Sequence, residues 1–164
     1  MALAVTHVIG TILILDLLRH YVFGLKRFPR YLVVVGGIAG LAPDMDIPLS
    51  GLLSFLRGTP IDLHGQFTHS LFFVALFLVF GGLLWKENRK WSKISWVVSG
   101  GWFLHLVMDC VFHGNPSYLW PLAVNTTNFC PHWGLTGYDV SVDALLLVLW
   151  LVHEEVHKKI KDYI

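Results

Sequence analysis

Apolar positions along this chain gather into five runs separated by polar segments. The first extends from Ala2 to about Leu18. It has no basic leader and no small-residue cleavage site, so a retained helix is expected there and not a signal peptide. The second, Tyr31–Ala42, is short against the about 20 residues that a crossing needs. Pro43 stops it, and Leu49–Leu56 continues it after a break. His69–Trp85 is the clearest run, followed by Ile94–Phe112 and the short Val140–Val152. The fold class this predicts is all-α, a polytopic transmembrane helix bundle of about five spans forming one domain over residues 1–164. Its short members are re-entrant or thin the bilayer locally.

Composition agrees. Hydrophobic residues make up 55% of the 164 and charged residues 14%, against about 25% charged in soluble domains. Mean hydropathy is +0.61. The net charge of +1 leaves no field to recruit a polyanion, so nucleic-acid binding is not expected. The seven Trp suit contact with lipid interfaces, and Tyr118, Trp120, Trp133 and Tyr138 read as an interfacial belt.

Charge placement predicts the topology. Arg19, Lys26, Arg27 and Arg30 follow the first run; Lys86, Arg89, Lys90 and Lys93 follow the third; Lys158, Lys159 and Lys161 follow the fifth. Of the 12 basic residues only Arg57 lies elsewhere. Five crossings put all three clusters on one face, which the positive-inside rule makes cytoplasmic. The expected localisation is therefore the cell membrane, with the N-terminus outside and the C-terminus inside.

The nine histidines are the anomaly, since lipid-embedded segments avoid ionisable groups that have no task. On this topology His7, Asp44, Asp46, His64, His69, His105 and Asp109 converge at the outer level from four separate segments. His105 and Asp109 stand at i and i+4, stacked on one helix face about 6 Å apart. Asp44 and Asp46 follow a proline and can bridge or flank a pair of ions. Imidazole with carboxylate suits zinc first, then manganese or iron. Three clustered carboxylates repel unless paired. One divalent ion nearly neutralises them, and two or more make the site attractive to a phosphate. The expected cofactor is thus divalent metal, two or more zinc ions, with manganese or iron as alternatives. A metal-activated water would attack, with Asp46 or Asp44 as catalytic base. Arg57, the single cation on that side, is the candidate for contacting substrate.

Each feature has a plainer reading. The His105–Asp109 pair could simply stitch packed helices, Pro43-Asp44-Met45-Asp46 could be a turn, His69 could cap a helix beside Thr68 and Ser70, and His7 could be interfacial. His20, His153 and His157 read as solvated on the inner side, and Asp16 as a local partner of Arg19 or His20. His113 and His132 fall on the outer side. Asp143 suits a helix N-terminus or a place behind a ligand. Cys110 and Cys130 both fall at the outer side, where they either stay free or form a disulfide in an oxidising compartment.

Thr6-His7 to Gly10, Pro43-Asp44-Met45-Asp46, residues 64–70 (HGQFTHS), and residues 105–109 (HLVMD) with Gly114 and Trp120-Pro121 together resemble the YdjM-like family of LexA-regulated, membrane-bound predicted metal-dependent hydrolases. The resemblance covers about residues 6–122. It implies a multi-pass membrane protein with a hydrolase-like metal site on the seven residues above. The order of acid, His and HxxxD is also similar, more faintly, to zinc-dependent phospholipase C and related nucleases. One departure stands out: the family pattern often reads His-Arg-Gly where this chain has His64-Gly65-Gln66. The expected function is hydrolysis of a phosphoester, such as a phospholipid headgroup, with membrane lipid as the partner. The rivals are a metal or proton transporter and a protein whose metals only fix helix packing.

Overall fold

The computed structural model describes residues 4–112, 118–122, 130 and 139–156. The described residues form six α-helices: α1 (Ala4–Leu18), α2 (Arg30–Ala39), α3 (Asp46–Arg57), α4 (Leu71–Leu84), α5 (Arg89–Phe112) and α6 (Asp139–Val156). No strand occurs among the described residues. The expected all-α class is what the chain forms.

Local sequence sets the boundaries. A wider turn of π-helix, Arg19–Phe23, extends α1 and ends at Gly24, whose φ of 80° an L side chain rarely adopts. Pro29, extended at φ −68° and ψ 157°, precedes α2. Pro43 opens a 3-10 turn, Ala42–Met45, because its fixed φ suits a first turn while its missing N–H cannot continue α2. Ser70 caps α4 by accepting from the Phe72 N–H at 3.0 Å.

Among the described residues two helices are long and apolar enough to cross a membrane: α1 with its π extension, over Val5–Phe23, and α5. A third pass is broken. The segments Arg30–Ala39 and Ala42–Arg57 meet at a 45° bend, as Pro43 predicts. Leu71–Leu84 and Leu145–Glu154 are apolar but shorter. The five runs thus all appear as helices, with two full-length spans, one broken and two short. Large apolar side chains such as Leu78, Val79 and Leu83 on α4 and Val148 and Val152 on α6 are exposed all along their helices, which suits contact with lipid.

α5 lies at the middle, and two different seams hold it. Toward α2 the seam is built of small residues. A Cβ added at Gly101 would stand 2.5 Å from the Gly36 carbonyl oxygen and 2.9 Å from the Ala39 Cβ, so only glycine lets the backbones approach this closely. Toward α4 the seam is polar. Ser92, Ser95 and Ser99 donate to the carbonyls of Gly81 (2.6 Å), Phe77 (2.7 Å) and Val74 (2.7 Å). One stripe of α5 therefore bonds successive turns of α4 where no water competes. α1 packs on α2 and α6. Leu15, Phe28, Leu32, Val33 and Val97 form one buried apolar cluster, and Trp102, Leu106, Tyr118 and Cys130 another.

Candidate metal centre

The seams decide what α5 presents between its neighbours. His105 is fully buried, and its Nδ1 donates to the Gly40 carbonyl at 2.7 Å, just where α2 ends. That bond fixes the tautomer, so Nε2 carries the lone pair. One turn on, Asp109 brings its Oδ2 to 3.2 Å from His105 Nε2.

His69, equally buried, is placed by a short 3-10 turn, Phe67–His69, before α4. The Trp102 indole of α5 donates to the Thr68 carbonyl at 2.8 Å and holds this turn down. His69 Nδ1 lies 3.2 Å from Asp46 Oδ2. The same carboxylate accepts from the Thr68 hydroxyl (2.7 Å), the Gly65 N–H (3.2 Å) and His64 Nδ1 (3.0 Å). This buried carboxylate accepts from three donors, and His69 Nδ1, which also lies 3.1 Å from the Thr68 hydroxyl, is turned toward it, so Nε2 points inward.

The inward atoms then meet. His69 Nε2 and His105 Nε2 are 3.2 Å apart. Asp44 Oδ1 is 3.5 Å from the first and 3.6 Å from the second. Asp109 Oδ2 is 3.4 Å and 3.2 Å from them. Ligands each about 2.0–2.1 Å from a tetrahedral ion lie about 3.3 Å from one another, so the distances of each carboxylate to the two imidazoles, and of the imidazoles to each other, suit ligands of a shared ion. Both imidazole Nδ1–H groups are committed elsewhere. The facing Nε2 atoms stand beside two carboxylates, an arrangement that favours a positive charge at its centre.

His7 adds a second point. It is buried, its ring stacks on His105 with centroids 3.9 Å apart, and its Nε2 lies 3.4 Å from Asp109 Oδ1. The Asp109 carboxylate thus reaches His7 with one oxygen and the four-atom group with the other. His7 Nδ1 is buried without a hydrogen-bond partner among the described residues. Beside it, the Thr6 hydroxyl donates to Asp143 of α6. Asp44, Asp109 and His64 keep 14%, 16% and 27% of their side chains exposed, so the group opens on that side.

All seven histidines and aspartates expected to converge are in this one cluster. Arg57 is not: it is exposed in the last turn of α3, eleven residues and about 16 Å of helix rise from Asp46. Thr68, Trp102 and the Gly40 carbonyl are supports that sequence reasoning missed. Thr68 and Trp102 carry no distinguishing pattern, and a carbonyl belongs to every residue.

The inner-side expectations need correction. His153 is buried, not solvated, and donates to Asp16 Oδ2 at 2.9 Å. His20 is likewise covered, with 6% of its side chain exposed, and its Nδ1 donates to the Asp16 carbonyl at 2.8 Å. Asp16 pairs with Arg19 at 3.2 Å, as expected, but also reaches α6. With Arg19 on one oxygen and His20 Nδ1 donating to a backbone carbonyl, this group is a clamp between α1 and α6. Tyr118 is buried rather than interfacial; burial pushes its phenol upward, and it donates to the Leu106 carbonyl at 3.2 Å. Cys110 and Cys130 are joined in a disulfide next to Asp109. His113, His132, His157, Gly114, Trp133, Tyr138 and the lysines at 158, 159 and 161 lie outside the described residues.

A family model described as YdjM inner membrane protein matches residues 1–159. No curated protein and no solved structure matches the chain.

Proposed function

The chain belongs to the YdjM inner membrane protein family, and from that premise we propose that it is a membrane-embedded, metal-dependent hydrolase of phosphoesters. The observation that carries the reading is the meeting of His69 Nε2, His105 Nε2, Asp44 Oδ1 and Asp109 Oδ2 at 3.2–3.6 Å. Asp109 reaches on to His7 with its other oxygen. These residues would hold divalent metal, zinc by the donor set, with Asp109 placed to bridge two ions. Bound there, such ions supply Lewis acidity and lower the pKa of water.

The chain's own groups have separate tasks. Asp46 accepts from Thr68, Gly65 and His64 and lies behind His69, which it orients. Asp44 is partly exposed and is the better base. Gly40 and Thr68 hold the imidazoles in one tautomer. The cluster sits at one end of the bundle, where a headgroup rather than an acyl chain would reach it. The neighbouring disulfide favours an oxidising compartment on that side, in agreement with the positive-inside reading that puts this end outside.

Two imidazoles and two carboxylates also fit a closed structural site, and that is the second reading. One experiment separates the two. The purified chain, loaded with zinc or manganese, is given bis(p-nitrophenyl) phosphate and a phosphatidylglycerol vesicle, and its metal content is measured. Turnover that is lost on chelation and restored by zinc or manganese supports catalysis. Metal bound tightly, with no turnover on either substrate and a large loss of thermal stability on chelation, supports the structural role.

A further inference from the structure

The end of the bundle away from the cluster holds a cavity of about 730 Å³, within the about 300–1,000 Å³ typical of ligand sites. Its wall on α5 runs from Arg89 to Gly100, and Lys93 at the charged end precedes His105 by twelve residues, about 18 Å of helix rise. The walls are mainly apolar: Leu15 and Leu18 of α1, Leu32 of α2 and Val97 of α5. Yet three cations line the same space, Arg27 from the α1–α2 connection and Arg89 and Lys93 from the start of α5.

Those cations are held in place but not neutralised. Lys93 Nζ donates to the Arg27 carbonyl at 3.2 Å, which joins α5 to the connection. The Arg89 guanidinium lies over the Trp85 ring at 3.7 Å, and Trp85 stacks on Trp96 with centroids 5.0 Å apart. Of the described acids at this end, Asp16 is engaged by Arg19 and Glu154 by Arg30, and Glu87 is exposed in the α4–α5 connection, where it pairs with none of the three. Among the described residues none of the three cations forms a salt bridge. A fixed positive charge at the mouth of an apolar chamber calls for an occupant with an anionic head and a hydrocarbon body. A free inorganic anion would leave the apolar walls wet.

We propose that this cavity binds one anionic phospholipid, its phosphate between Arg27, Arg89 and Lys93 and an acyl chain along Leu15, Leu18, Leu32 and Val97. The stacked Trp85 and Trp96 mark the headgroup level. The site is independent of the hydrolase reading.

The test is native mass spectrometry of the full-length chain, delipidated in mild detergent and titrated with phosphatidylglycerol or with phosphatidylcholine of the same acyl chains. One phosphatidylglycerol should stay bound at about a tenfold lower concentration than phosphatidylcholine, and EDTA should leave this unchanged. Arg89→Gln with Lys93→Gln should bring phosphatidylglycerol down to the phosphatidylcholine level. If that pair fails to fold, the exposed Arg27→Gln alone should weaken retention severalfold. Equal retention of the two lipids, retention untouched by substitutions that fold normally, loss of the lipid on EDTA treatment, or displacement of the lipid by an equal concentration of inorganic phosphate would each overturn the proposal.

Discussion

Asp46 illustrates how one side chain can matter without touching what it serves. It is buried, it accepts from Thr68, Gly65 and His64, it lies 3.2 Å from His69 Nδ1, and its effect is to turn His69 Nε2 toward His105. Removing a partner of this kind typically lowers metal affinity about 10–100-fold. Thr68→Val should therefore weaken zinc binding by about that factor in competition with a chromogenic chelator, while the helical circular dichroism is retained. His105→Ala should abolish high-affinity binding outright, because it removes the nitrogen common to most of the short contacts. Arg57→Gln, at an exposed position far along α3, should change stability by less than about 0.5 kcal/mol and leave metal binding unchanged. These seven residues were legible in the sequence because imidazoles and carboxylates stand out against apolar runs, and because lysines and arginines alone set which ends of the runs lie together. What each does was not legible. Asp44 and Asp46 are two apart and chemically alike, and only the turn around Thr68 makes one a ligand candidate and the other its support.

At the level of elements, α5 carries different adhesives on two faces. The serines at 92, 95 and 99 bond the α4 backbone, and Gly101 admits the α2 backbone. Together they fix the rotation of α5 about its axis. A slip of one residue would turn His105 by about 100° away from Gly40 and His69. Gly101→Ala should push α2 from α5, costing about 1–3 kcal/mol and weakening metal binding as well, because the Gly40–His105 bond spans the same seam. A denaturant melt and the chelator competition would read the two losses on one sample. The polar seam left no recognisable mark in the sequence. Serines at such spacing are common in helices that bond nothing, and their partners are carbonyls. The broken pass, in contrast, was readable from Pro43 directly.

Across the whole molecule, α6 closes the bundle through charge. His153 meets Asp16, and Arg30 meets Glu154 at 2.9 Å. Sequence reading put His153 in solvent because nothing local says that α6 lies on α1; only tertiary packing buries it. Asp16→Asn leaves Arg19 and two histidines around a neutral amide. Breaking a buried pair of this kind costs about 3–5 kcal/mol, so the variant should unfold at markedly lower detergent denaturant fraction. The charges also have a distribution. One set crowds the metal-cluster end and another the opposite end. Between them residues 8–15, 32–41, 71–85, 94–104 and 144–152 carry no ionisable group. The molecule is in effect a dielectric slab with electrodes at both surfaces and no stepping-stones for a proton to hop along. Vesicles carrying it and loaded with a pH-sensitive dye should hold an imposed gradient as long as empty ones do, so whatever chemistry occurs at one surface is insulated from the other.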